Sequence, residues 1–145
     1  MNVYVCITGD LFHYGHINFF NAALQFGKHL YVGVCSDEDV ANYKRRPILN
    51  LQQRVAIIST CSLVKRVIPG APPCTTKEII EAHNIDTVVA SKSYSSATLN
   101  KYYDYPQKQG ILRIVPYTES ISTTKIIKKC YDYYSDQDGV LGELS

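Results

Sequence analysis

Apolar positions along the chain follow two patterns that take turns. Val3 to Thr8 is a short β-branched run without polar alternation, which predicts a buried strand. His16 to Phe26 places apolar residues at Ile17, Phe20, Ala23 and Leu24, a helical spacing, and Gly27 ends it. Leu30 to Cys35 predicts a second strand, and Leu51 to Ser62 returns to helical spacing through Leu51, Val55, Ile57 and Ile58. Val64 to Ile68 reads as a third strand closed by Pro69-Gly70. Thr76 to His83 reads as a helix with Thr75 or Thr76 as its N-cap. Asp86 to Ala90 and Ile111 to Val115 supply two more strands, and Ser122 to Tyr134 a last helix capped by Ser122. Lys92 to Lys108 is polar, rich in Tyr and Ser, and predicts a loop leading into a short helix. Continuous apolar strands separated by helices imply an α/β domain: about five parallel strands, helices on both faces. That domain spans residues 1–134, and the polar stretch 135–145 is expected to be a flexible tail.

The gross numbers agree with one domain. A chain of 145 residues can bury one substantial core. Its 46% hydrophobic and 19% charged residues are ordinary for a globular fold. A net charge of +2 is too small to argue for a nucleic-acid or membrane partner, so any positive site must be local. The five cysteines are scattered and lack C-x-x-C pairing, which predicts reduced, mostly buried thiols and no metal site. The first residues carry no signal-peptide pattern and no run approaches transmembrane length, so a cytoplasmic location is expected.

Ligands of open α/β sheets bind at the carboxyl ends of the strands, and three segments there carry chemistry. Thr8-Gly9-Asp10-Leu11-Phe12-His13-Tyr14-Gly15-His16 joins the first strand to the first helix. Gly15 lets the backbone approach a ligand, the helix start offers N–H groups and a positive dipole end, and two imidazoles add donors. Phosphoryl-type transfer needs positioning and charge neutralisation more than covalent help. Tyr43-Lys44-Arg45-Arg46-Pro47 puts three cations ahead of a helix; alone it reads as a solvated basic loop, and beside the histidines it is a candidate clamp on triphosphate or on a phosphorylated acceptor. Tyr117 to Thr124 is a hydroxyl-rich turn opening the last helix, suited to capping or to phosphate.

These segments, in this order, resemble the cytidylyltransferase family, which makes CDP-choline, CDP-ethanolamine and CDP-glycerol. His13-Tyr14-Gly15-His16 is similar to the family's H-x-G-H, and Thr118 to Thr124 to its R-T-E-G-I-S-T signature. Val32 to Glu38, Gly70-Ala71-Pro72 and Tyr94-Ser95-Ser96-Ala97 add further likeness to the choline and ethanolamine branches. The resemblance implies a Rossmann-like nucleotidyltransferase fold and transfer of CMP from CTP, with Mg2+, to a phosphomonoester, releasing pyrophosphate. It assigns catalysis to His13, His16 and Lys44. It assigns nucleotide binding to Thr8, Gly9, Asp10, Gly15, Thr118, Ile121, Ser122 and Thr123. Arg54 falls on a more structural arginine. It further implies a homodimer. Adenylyl-type transfer on the same fold, or nucleotide binding without catalysis, are the alternatives.

The chain also departs from the pattern. Tyr117 replaces the signature's arginine, Ser120 its glycine, and Ile7 a glycine before the first turn. After the fourth strand, Ala90-Ser91-Lys92-Ser93-Tyr94 lacks the family's acidic pair, and Pro73 replaces an aromatic residue. The expectation that follows is an acceptor other than phosphocholine, neutral or anionic, with Lys92 and Tyr94 facing it.

Overall fold

The computed structural model describes residues 1–92 and 94–137. Five strands, β1 (Asn2–Ile7), β2 (His29–Val34), β3 (Val64–Pro69), β4 (Thr87–Ser91) and β5 (Leu112–Val115), form one parallel sheet among the described residues. Their order is β3-β2-β1-β4-β5. The order reverses between β1 and β4, which opens a crevice at the carboxyl ends of these two strands. The α/β expectation therefore holds, with parallel strands bridged by helical crossovers.

Side-chain alternation along β1 builds a core on each face. Val3 and Val5 point one way, joining Val32, Val34, Phe20 of α1 (Tyr14–Ala23) and Ile58 of α3 (Leu51–Ser59). Tyr4 and Cys6 point the other way. They meet Val40 of α2 (Asp37–Tyr43), Ile80 of α4 (Lys77–Ala82) and Tyr103, which joins α5 (Ser96–Tyr102) to α6 (Asp104–Lys108). Both faces are thus covered, which is what unbroken apolar strands require.

Three local differences from expectation have physical causes. Residues 37–43, for which the hydrophobic pattern predicts no element, form α2, because Ser36 Oγ accepts from the Asp39 amide at 3.1 Å and three acidic residues occupy its first turn. The polar stretch after β4 holds two short helices rather than one, with Ser95 capping α5 at the Thr98 amide. The closing helix α7 (Thr123–Gln137) continues past Tyr134, so Ser135 to Gln137 are helical, and residues 138–145 of the expected tail lie outside the described residues. Thr76 rather than Thr75 caps α4. The cysteines are free thiols; Cys6 and Cys35 are buried, Cys61 half-buried, and Cys74 and Cys130 exposed, against the expectation of mostly buried thiols. No described helix is long and apolar enough to cross a membrane.

Candidate functional site

The crevice at the strand ends is a cavity of about 630 Å³, a size that suits a nucleotide-scale ligand. It straddles the sheet. One wall comes from the loop after β1, the first turn of α1 and the first turn of α7; the other from Cys6, Cys35, Tyr43, Pro73, Tyr94, Tyr102 and Tyr103.

The loop after β1 turns at Gly9, whose φ is +70° and where a Cβ would lie 2.6 Å from Ile58 Cδ1. A side chain is excluded there on both counts. Leu11 follows with φ 51°, a left-handed conformation that costs a non-glycine residue energy and is held by its neighbours. Asp10 supplies that hold. It is 2% exposed; its carboxylate accepts from the amides of Ile48 (2.8 Å) and Leu49 (3.0 Å) and from Arg45 (3.3 Å). Burial pushes its carboxyl up, but the two amides and the guanidinium outweigh that and keep it below the usual carboxylate range. Its backbone carbonyl accepts from the Thr123 hydroxyl at 2.7 Å. Asp10 and Thr123, expected at the nucleotide, line the cavity while spending these groups on assembly.

The two histidines form a reciprocal cap on α1. His13 Nδ1 accepts from the Gly15 amide, and His16 Nδ1 accepts from the His13 amide, both at 3.1 Å. A ring nitrogen that accepts from an amide is unprotonated, so in each neutral ring the proton sits on Nε2. Burial lowers the His13 pKa. Burial, then the charges of His13 and Lys44, bring His16 down to about 3, against which Asp10 pulls weakly upward. At neutral pH both rings are uncharged N–H donors. Their centroids lie 4.0 Å apart, and His16 stacks on Phe12 at 5.3 Å. A Cβ on Gly15 would fall 2.9 Å from His13 Cε1 and 3.2 Å from Ile121 Cγ2. Glycine is what lets His13 fold back as a cap.

Positive charge enters from the end of α2. Lys44 caps that helix and lines the cavity, its ammonium 5.7 Å from the Tyr43 ring. Desolvation and then Arg45 push its pKa down. Arg54 lies beneath, wholly buried. It donates to the carbonyls of Thr8 (2.6 Å), Cys35 (2.8 Å) and Leu49 (3.0 Å) and pairs with Asp37 at 2.6 Å. One guanidinium thereby ties the ends of β1 and β2 to the starts of α2 and α3.

The turn before α7 closes the same wall. Ser122 Oγ accepts from the Lys125 amide at 3.1 Å, the expected cap. Thr118 accepts from Asn18 at 3.3 Å, and the Ser120 hydroxyl bonds Tyr14 at 2.8 Å. Serine where the resembled signature has glycine thus gains a partner on α1. Ile121 and Tyr117 also face the cavity. Thr8 joins the other wall through its hydroxyl, 3.2 Å from that of Tyr43.

Lys92 is absent from the lining of the main cavity. Its side chain is exposed and borders a shallow groove with Pro116, Tyr117 and Glu119, outside the main cavity. Its amide bonds the Val115 carbonyl, and the preceding Ser91 is the residue of that pair that lines the cavity. Tyr94 does line it, with Tyr103 at a ring separation of 6.0 Å. Burial pushes the Tyr94 hydroxyl up to about 12 and Tyr103 well above its ordinary value, so both stay neutral donors. Tyr43, Tyr102 and Tyr103 were not among the expected site residues. The chain gives no signal for Tyr102 and Tyr103 at the site, because nothing local says that α5 returns to the strand ends. Among the described residues no group of three or more His, Cys, Asp or Glu side chains is gathered to hold a metal ion.

Comparison with known proteins follows this geometry. Residues 8–129 match the family model described as cytidylyltransferase-like. The ethanolamine-phosphate cytidylyltransferase of Dictyostelium discoideum is 34% identical over 128 residues, covering 88% of this chain and 36% of that protein. Human choline-phosphate cytidylyltransferase A is 34% identical over 145 residues, covering 93% of this chain and 38% of that one. The chain thus spans little more than a third of the length of these relatives. Among solved structures, the lipopolysaccharide core biosynthesis protein of Thermoplasma volcanium superimposes with a TM-score of 0.63 at 25% identity, covering 81% of this chain and 96% of that one.

Proposed function

We propose that this chain, which belongs to the cytidylyltransferase-like family, transfers CMP from CTP to a small phosphomonoester. The observation that carries the reading is the pair of histidines whose Nδ1 atoms are both committed to backbone amides, which leaves two neutral Nε2–H donors beside Lys44 and the first turn of α7. An oxygen of the acceptor phosphate attacks the α-phosphorus of CTP. The new P–O bond forms as the bond to the β-phosphate oxygen breaks, and pyrophosphate leaves. Negative charge grows on oxygens at the α-phosphorus and on the leaving group, where N–H donors and an ammonium act without reorganising. Asp10 has both oxygens engaged, so magnesium in this reading arrives with the triphosphate as its counter-ion.

The acceptor's alcohol portion is read as uncharged. The wall it would meet is made of Tyr43, Tyr94, Tyr102 and Tyr103; the Tyr94 and Tyr103 hydroxyls are neutral, and among the described residues the one carboxylate lining the cavity, Asp10, is already engaged by Arg45 and two amides. This replaces Lys92 as the ground for that expectation.

Pyrophosphate release with CTP, Mg2+ and a panel of phosphomonoesters tests both statements. Turnover should be greatest with an uncharged polyol phosphate, and phosphocholine or phosphoethanolamine as best acceptor would overturn the acceptor assignment. His16→Ala should lower turnover by roughly 100- to 1,000-fold, the effect of losing one preorganised donor, and Lys44→Ala should lower it strongly. Thermal stabilisation by CTP without pyrophosphate release would point to nucleotide binding alone.

A further inference from the structure

We propose that Cys6 and Cys35 form a reversible dithiol–disulfide site in the cavity wall, oxidised by a peroxide and restored by small thiols. Cys6 lies in β1 and Cys35 directly after β2, on neighbouring parallel strands. Their Sγ atoms are 3.5 Å apart. Alternation turns both toward the same face, where they share one packed cluster. The residue opposite Cys6 in the register is Gly33, and the space a Cβ would take there is filled by the Tyr4 hydroxyl and the Ala71 methyl, which pack beside the pair. A disulfide needs the sulfurs at about 2.05 Å, a closure that rotation at both Cβ atoms can share. Both thiols line the cavity but are little exposed, so a small oxidant reaches them and a bulky one is shut out.

The two sulfurs have different roles. The hydrogen bond from Cys6 pulls the Cys35 thiol down, with help from Arg54 and Lys44, against burial and Asp39. The bond to Cys35, and then burial, push Cys6 up. Of the two sulfurs Cys35 has the greater thiolate character, and it is the attacking one. It displaces hydroxide from hydrogen peroxide and becomes a sulfenic acid. Cys6 sulfur then displaces hydroxide from the Cys35 sulfur; the S–S bond forms and the Cys6 proton leaves in water. In sum two thiols are oxidised and one peroxide is reduced to two waters. Two small thiols reverse it by exchange.

This inference rests on the pair's geometry and not on the reading of the cavity as a CMP-transfer site, so its test scores mass rather than turnover. The full chain is treated with dilute hydrogen peroxide, alkylated under denaturing conditions, digested without reduction and mapped by mass spectrometry. The expected result is a joined Cys6–Cys35 peptide pair that separates on dithiothreitol treatment. The exposed Cys74 and Cys130 are internal references. Recovery of Cys6 and Cys35 as two alkylated thiols, at a dose that oxidises the references, would overturn the proposal. So would over-oxidation of Cys35 to the sulfinic acid without joining Cys6. In Cys6→Ser, dimedone added with denaturant immediately after the peroxide should capture Cys35 as its sulfenic acid, and failure to capture it would overturn the order of attack.

Discussion

Arg54 offers a sharp test of how this site is held. Arg54→Met keeps much of the aliphatic volume and removes the guanidinium. Three carbonyls lose a donor: Thr8 at 2.6 Å, Cys35 at 2.8 Å and Leu49 at 3.0 Å. Asp37 loses its 2.6 Å partner while only 17% exposed. Removing one member of a buried pair costs about 3–5 kcal/mol, chiefly because the other is left uncompensated. Two features pull this case to the lower end: Asp37 keeps some solvent, and it sits in the first turn of α2, where negative charge is favoured. The expected loss is about 3 kcal/mol, which for a domain near this size lowers the melting temperature by roughly 6–12 °C. Arg46→Met is the matched control, because Arg46 is 65% exposed and 3.9 Å from the same Asp37. Its loss should stay within about 0.5 kcal/mol. Urea unfolding of the three proteins, with the slope unchanged, measures both values. An Arg54→Met loss under about 1 kcal/mol, or one equal to that of Arg46→Met, would refute the reasoning.

Other predictions test the assembly piece by piece. Gly15→Ala drives the His13 ring off its cap, because the new Cβ would sit 2.9 Å from Cε1; about 1 kcal/mol of stability and most of the turnover should be lost together, and full turnover would contradict the shared role. Asp10→Asn sets an amide group against the Ile48 or Leu49 N–H, costs about 1–3 kcal/mol and should lower turnover by freeing the segment that carries Lys44; urea midpoints and pyrophosphate release read both. The His16 pKa, about 3 folded and about 6.5 unfolded, means the unfolded chain binds the extra proton first as pH falls. That contribution to stability is whole above pH 6.5 and erodes as pH drops toward 3. Between pH 7 and pH 5 the wild type should lose about 2 kcal/mol more than His16→Gln, and parallel losses in the two proteins would contradict it.

How much was legible in the sequence depended on how local the determinant was. The turn from β1 into α1 could be read because the cap, the glycine and both histidines lie within one helical turn of each other. The cap at Ser122 was equally local. Residues 37–43 could not be read from periodicity because a seven-residue helix shows barely two turns of it; its signal was the Ser36 cap and the acidic first turn. Adjacency to a strand end did not say which of Ser91 and Lys92 lines the main cavity. Ser91 lines the cavity, and Lys92 borders the groove next to it. Asp10 was found by position, but its partners at 45, 48 and 49 are long-range and no pattern in the chain announces them.

Those long-range partners explain why the two walls can differ in how strictly they are specified. Asp10 uses its carboxylate to hold the segment carrying Lys44 and its carbonyl to hold α7. Arg54 uses its guanidinium to hold the ends of β1 and β2. In the proposed transfer, the groups that would face phosphate are therefore positioned by buried bonds that no ligand has to supply, the condition under which fixed donors favour a transition state over a ground state. The tyrosine wall has a different origin. Tyr102 and Tyr103 arrive on α5 and its exit, and Tyr94 on the turn before it, packed against the second core rather than the first. A change in α5 alters what the acceptor meets without touching Asp10, Arg54 or the histidine cap. A family with this architecture can keep its transfer chemistry and exchange its acceptor. Here the acidic pair after β4 is missing and a tyrosine-lined wall faces the cavity, while the histidine cap is intact. A carboxylate at residue 91, which lines the cavity, should therefore shift acceptor preference toward an ammonium while the KM for CTP stays within about a factor of two. A collapse of CTP binding in that variant would show that the two walls are not separable.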